Sequence, residues 1–173
     1  MTMRDLLIVE ARAKKELENT GQLKSALAGR GLYPLTRKGR QNLNDEFMLR
    51  AVVSVVLDYY TALENIFKEV AKNIDGRLPA GPDWHKDLLT QVGLNLPGLR
   101  PPLLSGETFA EVDELRRFRH LARNIYGFNL KPERVISLLE KLPELDKKIE
   151  SELSCFLEKY RQEMISSIIS DNP

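Results

Sequence analysis

Residues 113–130, DELRRFRHLARNIYGFNL, carry the densest set of groups able to do chemistry. On a wheel of about 100° per residue, Arg116, Arg119, His120, Arg123 and Tyr126 share one side, and Asn124 borders it. Leu115, Phe118, Leu121, Ala122 and Ile125 take the other side, which packs. Three guanidiniums, an imidazole and a phenol on one face suit a phosphodiester. Arginine's fixed fork of donors stabilises the anion, and histidine moves a proton. The plain alternative is a solvated helix face whose arginines pair with Glu111, Asp113 and Glu114. Clustering argues against it, because like charges one turn apart repel.

Other chemistries find no footing in the residue inventory. His85, His120 and Cys155 cannot assemble a Cys/His zinc site, and no H-E-x-x-H occurs, so no metal is expected. Neither common glycine-rich phosphate loop is present, and no cofactor is expected. A single cysteine excludes an internal disulfide and points to a reducing, cytoplasmic compartment. No apolar run approaches the roughly 18 residues of a membrane span, and the N-terminus does not read as a secretory signal.

The chain has 173 residues, near the roughly 150 expected of one domain, so residues 1–173 are read as a single domain. Lys plus Arg number 26 against 25 Asp plus Glu, a net charge of +1. That balance excludes a globally basic nucleic-acid coat but leaves room for a local basic patch.

Apolar residues recur at three- and four-residue steps almost throughout, so the expected class is all-α, a bundle of about five helices. The first covers residues 5–28 and stops at Gly29 and Gly31. A loop follows over 29–43. Its Arg30, Arg37, Lys38 and Arg40 either track a nucleic-acid backbone or stand in solvent. The second helix starts at Asn44 as cap and ends near Asp75-Gly76. A short helix capped by Asp83 carries Trp84, His85, Leu88, Leu89 and Val92. Residues 94–105 form a packed, irregular connection. Ser105 caps a helix running to Tyr126, which Gly127 stops. Pro132 opens the last helix, and Pro143 is expected to kink or break it near Leu142.

At this point the residues resemble a family. Arg119-His120-Leu121-Ala122-Arg123-Asn124-Ile125-Tyr126 is similar to the signature of HEPN-domain ribonucleases, especially HepT-like toxins: Arg, a polar residue, three variable residues, His, one variable residue, Tyr. The helix FMLRAVVSVVLDYYTALENIFKEVAKNIDGRLPAGPDWHKDLL and the helix order extend the resemblance over about residues 45–140. It implies a HEPN-like bundle that forms a homodimer, with paired motifs lining one cleft. It also implies metal-independent RNA cleavage through the ribose 2′-hydroxyl, and a partner nucleotidyltransferase antitoxin. Position by position, Arg119 matches the arginine that contacts the scissile phosphate. His120 takes the polar position after it. Tyr126 matches the tyrosine that the antitoxin modifies with AMP, and Arg116 and Arg123 would add RNA-binding charge. Asn124 stands where the family has its catalytic histidine. An amide exchanges no protons near neutral pH, so either His120, one turn away, supplies the imidazole or the activity is lost. The alternative function is a non-catalytic helical module that binds RNA or a partner protein.

The remaining candidates read as follows. His85 at a helix start is assigned to packing or capping. Of Tyr59 and Tyr60, one packs and the other reaches toward the cleft. Glu64, one turn beyond Tyr60, is a candidate partner for a cleft arginine. Cys155 is expected to face the core of the last helix.

Overall fold

The computed structural model describes residues 3–124 and 130–170, which form six helices and no strand. They are α1 (Met3–Ala28), α2 (Arg37–Asn42), α3 (Glu46–Asn73), α4 (Trp84–Gly93), α5 (Gly106–Asn124) and α6 (Pro132–Ser170). The architecture is all-α, as the apolar periodicity predicts. Its axis is α3, which packs against α1, α4, α5 and α6. Leu49, Val52, Val53, Val56, Leu63, Ile66, Phe67 and Val70 of α3 are all buried. The β-branched run Val52–Val56 stays helical because the apolar stripe on both sides of it is buried, and packing outweighs local propensity.

Boundaries differ from expectation in ways the caps explain. The stretch 29–43 is not all loop. Thr36 accepts a hydrogen bond from Gly39 N at 3.0 Å and starts α2. Gly39 lies so close to the Gly31 carbonyl that a β-carbon could not fit there. In this stretch Arg40 pairs with Glu140 of α6, and Arg30 folds back onto the Ala26 carbonyl. The cap of α3 is Asp45 rather than Asn44, its carboxylate accepting from Met48 N at 2.8 Å. Asp83 precedes α4 but makes no side-chain cap; its backbone carbonyl accepts from Lys86 and Asp87 instead. Ser105 does cap α5, accepting from Thr108 N at 3.2 Å. The expected stop of that helix at Tyr126-Gly127 lies outside the described residues.

Pro143 does not break the last helix, which runs unbroken through it. Leu139, Leu142 and Leu145 flank it and are all buried, so the core holds both sides in one helix despite the missing N–H. Cys155 is exposed, not buried. The buried stripe passes through Leu153 and Phe156, and Cys155 sits about 100° away from Phe156 around the helix.

Two polar clusters tie the helices. Asp146 of α6, 5% exposed, accepts from Tyr59 Oη at 3.0 Å, Tyr33 Oη at 3.2 Å and Lys24 Nζ at 2.6 Å. Asp75 and Arg100 form a bidentate pair at 2.5 and 2.8 Å. Arg100, fully buried in its side chain, also donates to the carbonyls of Gln91, Leu94 and Pro101 at 2.8, 3.0 and 3.1 Å. Two of these carbonyls, Gln91 and Leu94, belong to the C-terminal end of α4, where helical partners run out.

Candidate phosphodiester site at the junction of three helices

The packing of α4 and α5 against α3 brings Glu64, His85 and Arg119 together. Glu64 is 2% exposed and its Oε1 meets His85 Nδ1. On the other side of the ring, Arg119 Nη1 lies 2.9 Å from His85 Nε2. A guanidinium can only donate, so Nε2 accepts and Nδ1 carries the hydrogen that points at Glu64. The imidazole is therefore neutral, with its tautomer set by its two neighbours. Arg119 Nε also stands 4.0 Å from Glu64 Oε2. A carboxylate this deeply buried is tolerable because it has both a donor and a positive charge beside it.

The His85 pKa lies below its ordinary value. Burial is the main cause; the charges of Arg119 and Lys68 add to it, and the Glu64 carboxylate opposes it. The Trp84 ring lies against that of His85, centroids 3.5 Å apart, and Lys68 Nζ sits 4.7 Å from the Trp84 ring. Tyr60, 1% exposed, stands beside Glu64, and its buried hydroxyl lies next to that carboxylate. Burial and the Glu64 charge hold that phenol firmly protonated. Tyr59 is the tyrosine of the pair that ties α3 to α6, through Asp146.

The α5 residues divide. Arg116 and Arg119 are half-buried, whereas His120, Arg123 and Asn124 are exposed. Arg116 Nε pairs with Asp113 at 2.7 Å. Asn124 Nδ2 donates to the His120 carbonyl at 2.7 Å and lies 3.3 Å from His120 Nε2. So His120 and Asn124 associate with each other, one turn along α5, while Arg119 turns inward to His85 and Glu64. Tyr126 lies outside the described residues. A groove of about 510 Å3 between α5 and α6, lined by Phe118, Leu121, Arg134 and Leu138 among others, includes none of Glu64, His85 and Arg119. Among the described residues no cluster of His, Cys, Asp and Glu is arranged to hold a metal ion.

His85, assigned from the sequence to packing or capping, does pack on Trp84, but its pairing with Glu64 and Arg119 was not anticipated. The available signal was Glu64. A carboxylate at a core-facing position of α3 needs partners, and the only histidine outside α5 was a natural candidate. The suggestion that Glu64 meets an arginine matches its approach to Arg119.

Comparison with known proteins adds the family. The sequence model of a family described as HepT-like protein matches residues 51–160. That span includes Glu64, His85 and the whole Arg119–Tyr126 string. Comparison with curated proteins gave no match. Comparison with solved structures gave none either. No helix among the described residues is long and apolar enough to cross a membrane.

Proposed function

The chain belongs to the HepT-like family, and on that premise we propose that it is the toxin of a toxin–antitoxin pair, acting on RNA phosphodiesters in the cytoplasm. The observation that carries this reading is Arg119, held at the junction of α3, α4 and α5 with an imidazole at 2.9 Å. A guanidinium beside an imidazole provides anion stabilisation and proton transfer together. His120, Arg123 and Asn124, exposed on the next turn, continue a polar surface along which a strand can lie. Arg116 and Arg123 add non-specific phosphate attraction. Two copies facing each other would double that charge in a shared cleft and offset the near-neutral net charge.

Cleavage in this reading needs no metal, because the nucleophile is the ribose 2′-hydroxyl. Control falls to Tyr126. A partner nucleotidyltransferase would move AMP from a nucleoside triphosphate onto the phenol oxygen, releasing pyrophosphate. The added phosphate would repel the RNA backbone.

The test is cleavage of a mixed RNA by the purified chain in the presence of a chelator, compared with Arg119→Ala. Cleavage that persists with chelator and is lost in R119A supports the reading. Cleavage that needs a divalent ion overturns it. Co-expression with a minimal nucleotidyltransferase should add the mass of AMP at Tyr126; addition outside residues 119–128 would remove the control step.

One observation favours a second reading, a non-catalytic module that binds RNA or a partner. Asn124, at the family's histidine position, uses its amide on the His120 carbonyl. If neither the parent nor Asn124→His cleaves RNA, while the parent binds it at low salt and R119A does not, the binding module is the correct description.

A further inference from the structure

This inference rests on the phosphodiester reading above and gives it an acid–base residue. We propose that His85, positioned by Glu64, is the proton-transferring imidazole of the site, and that Arg119 blocks its reactive nitrogen until a phosphate group draws the guanidinium away.

Three groups compete for the role. Asn124 has no titratable proton. His120 is exposed, and its ring nitrogen faces the Asn124 amide at 3.3 Å rather than a carboxylate. His85 alone has a buried carboxylate against Nδ1. That arrangement fixes the tautomer, leaves the lone pair on Nε2, and steadies the imidazolium formed when Nε2 takes a proton. Glu64 acts through His85 and is a positioning residue.

In the free protein the lone pair is occupied. Arg119 Nη1 donates to Nε2 at 2.9 Å, and the ring cannot accept another proton while that bond holds. A phosphate oxygen is a stronger acceptor for a guanidinium than a neutral imidazole, because the bond is charge-assisted and can be bidentate. Binding of a phosphodiester therefore moves Arg119 from ring to anion. The same event leaves Nε2 open next to the phosphate that Arg119 now holds. The charged and titratable groups facing His85 are Glu64 and Lys68 from α3 and Arg119 from α5, with Tyr60 beside Glu64. Loss of the Arg119 contact removes one positive neighbour and brings in an anion, and both changes favour the protonated ring.

The step balances as follows. His85 Nε2 takes the proton of the 2′-hydroxyl, and O2′ forms a bond to phosphorus. The bond from phosphorus to O5′ breaks, and O5′ leaves with a proton drawn from water. His85 returns its proton to that hydroxide. The products are a 2′,3′-cyclic phosphate and a 5′-hydroxyl, with nothing oxidised or reduced.

The chain has two histidines, so the ring nitrogens of His85 can be followed by nitrogen-15 NMR, with His120→Asn to assign them. In the unmodified protein we expect an Nδ1–H ring with its lone pair on Nε2. Inorganic phosphate should raise the apparent His85 pKa by about a unit. In Arg119→Ala the pKa should start higher and ignore phosphate. An Nε2–H ring in the free protein, no response to phosphate, or an equal response in R119A would overturn the proposal. These measurements use the parent chain and do not depend on whether His85→Asn folds. In the RNA assay, folded H85N should lose about 100-fold or more in cleavage rate while still binding RNA at low salt. Parental cleavage by H85N overturns the proposal and leaves the nuclease reading intact. If neither the parent nor N124H cleaves, while phosphate still acts on His85 through Arg119, the nuclease reading and the proton-transfer role of His85 fall together, and only the Arg119 gate stands.

Discussion

Arg119 donates to the one ring nitrogen of His85 that Glu64 leaves open, at 2.9 Å. The bond ties α5 to α4 and keeps the ring neutral. Burial, with the Arg119 and Lys68 charges, holds the His85 pKa below 6.5, its ordinary value, so between the folded and unfolded values the unfolded chain binds the extra proton. Stability should therefore decline as pH falls from about 6.5 toward the folded value and level off beneath it. Denaturant melts of the parent and of His85→Gln across this range check it. The substituted chain should have a flatter profile; an equal slope in both would assign the pH dependence to other groups.

The Arg100–Asp75 pair predicts a large energetic effect far from the site. Arg100→Ala leaves the buried Asp75 carboxylate without its counter-charge and strips donors from the carbonyls at the end of α4. The expected loss is about 3–5 kcal/mol. A fall of less than about 1 kcal/mol in urea unfolding would mean that water replaces the guanidinium at little cost.

Asp146 distinguishes its two tyrosines. Tyr59 is 2% exposed, whereas Tyr33 is half-buried. Tyr59→Phe should cost about 1.5 kcal/mol, near the low end for a bond to a charged acceptor, and Tyr33→Phe less. Burial, the Asp146 charge and its hydrogen bond push the Tyr33 phenol up to about 12, and the same causes push Tyr59 higher. Both values lie above the ordinary 10, so the stability they contribute is complete below pH 10 and is lost as pH rises through the folded values. Alkaline melts of the two variants should show a shallower decline than the parent.

Cys155 should react with a neutral thiol reagent in the native protein at nearly the rate of an unfolded control, since it is exposed. Cys155→Ser should leave the Tm within about 2 °C of the parent, the effect expected of a surface substitution. Protection of the thiol until unfolding would require a covering surface over that face of α6.

Much of the bundle was legible because its helices are long and amphipathic. The stripe from Val135 to Tyr160 carried enough apolar surface to identify α6 even across Pro143. Short features were harder to read. The six residues of α2 depend on the Thr36 cap and on the close approach of Gly39 to Gly31, and neither leaves a periodic trace. In the site, local spacing placed Arg116, Arg119, His120, Arg123 and Asn124 on one helix, α5. It could not reveal that Arg119 turns away from His120 toward a histidine 34 positions earlier. That contact depends on how α4 lies across α3 and α5, a tertiary fact. Residues 94–105 read as a packed connection, but the carbonyls that Arg100 serves within it are again a tertiary fact.

The Arg100 clamp makes α4 a lever with a fixed fulcrum. Its far end is pinned, and His85 rides about seven residues away, roughly 10 Å along the axis. A tilt of about 6° at the pinned end would carry the ring about 1 Å, more than a hydrogen bond tolerates. Alignment of the imidazole with Arg119 is thus set partly from Leu94 to Leu104. Substitutions in that stretch can shift the His85 ring against Arg119 without altering either residue.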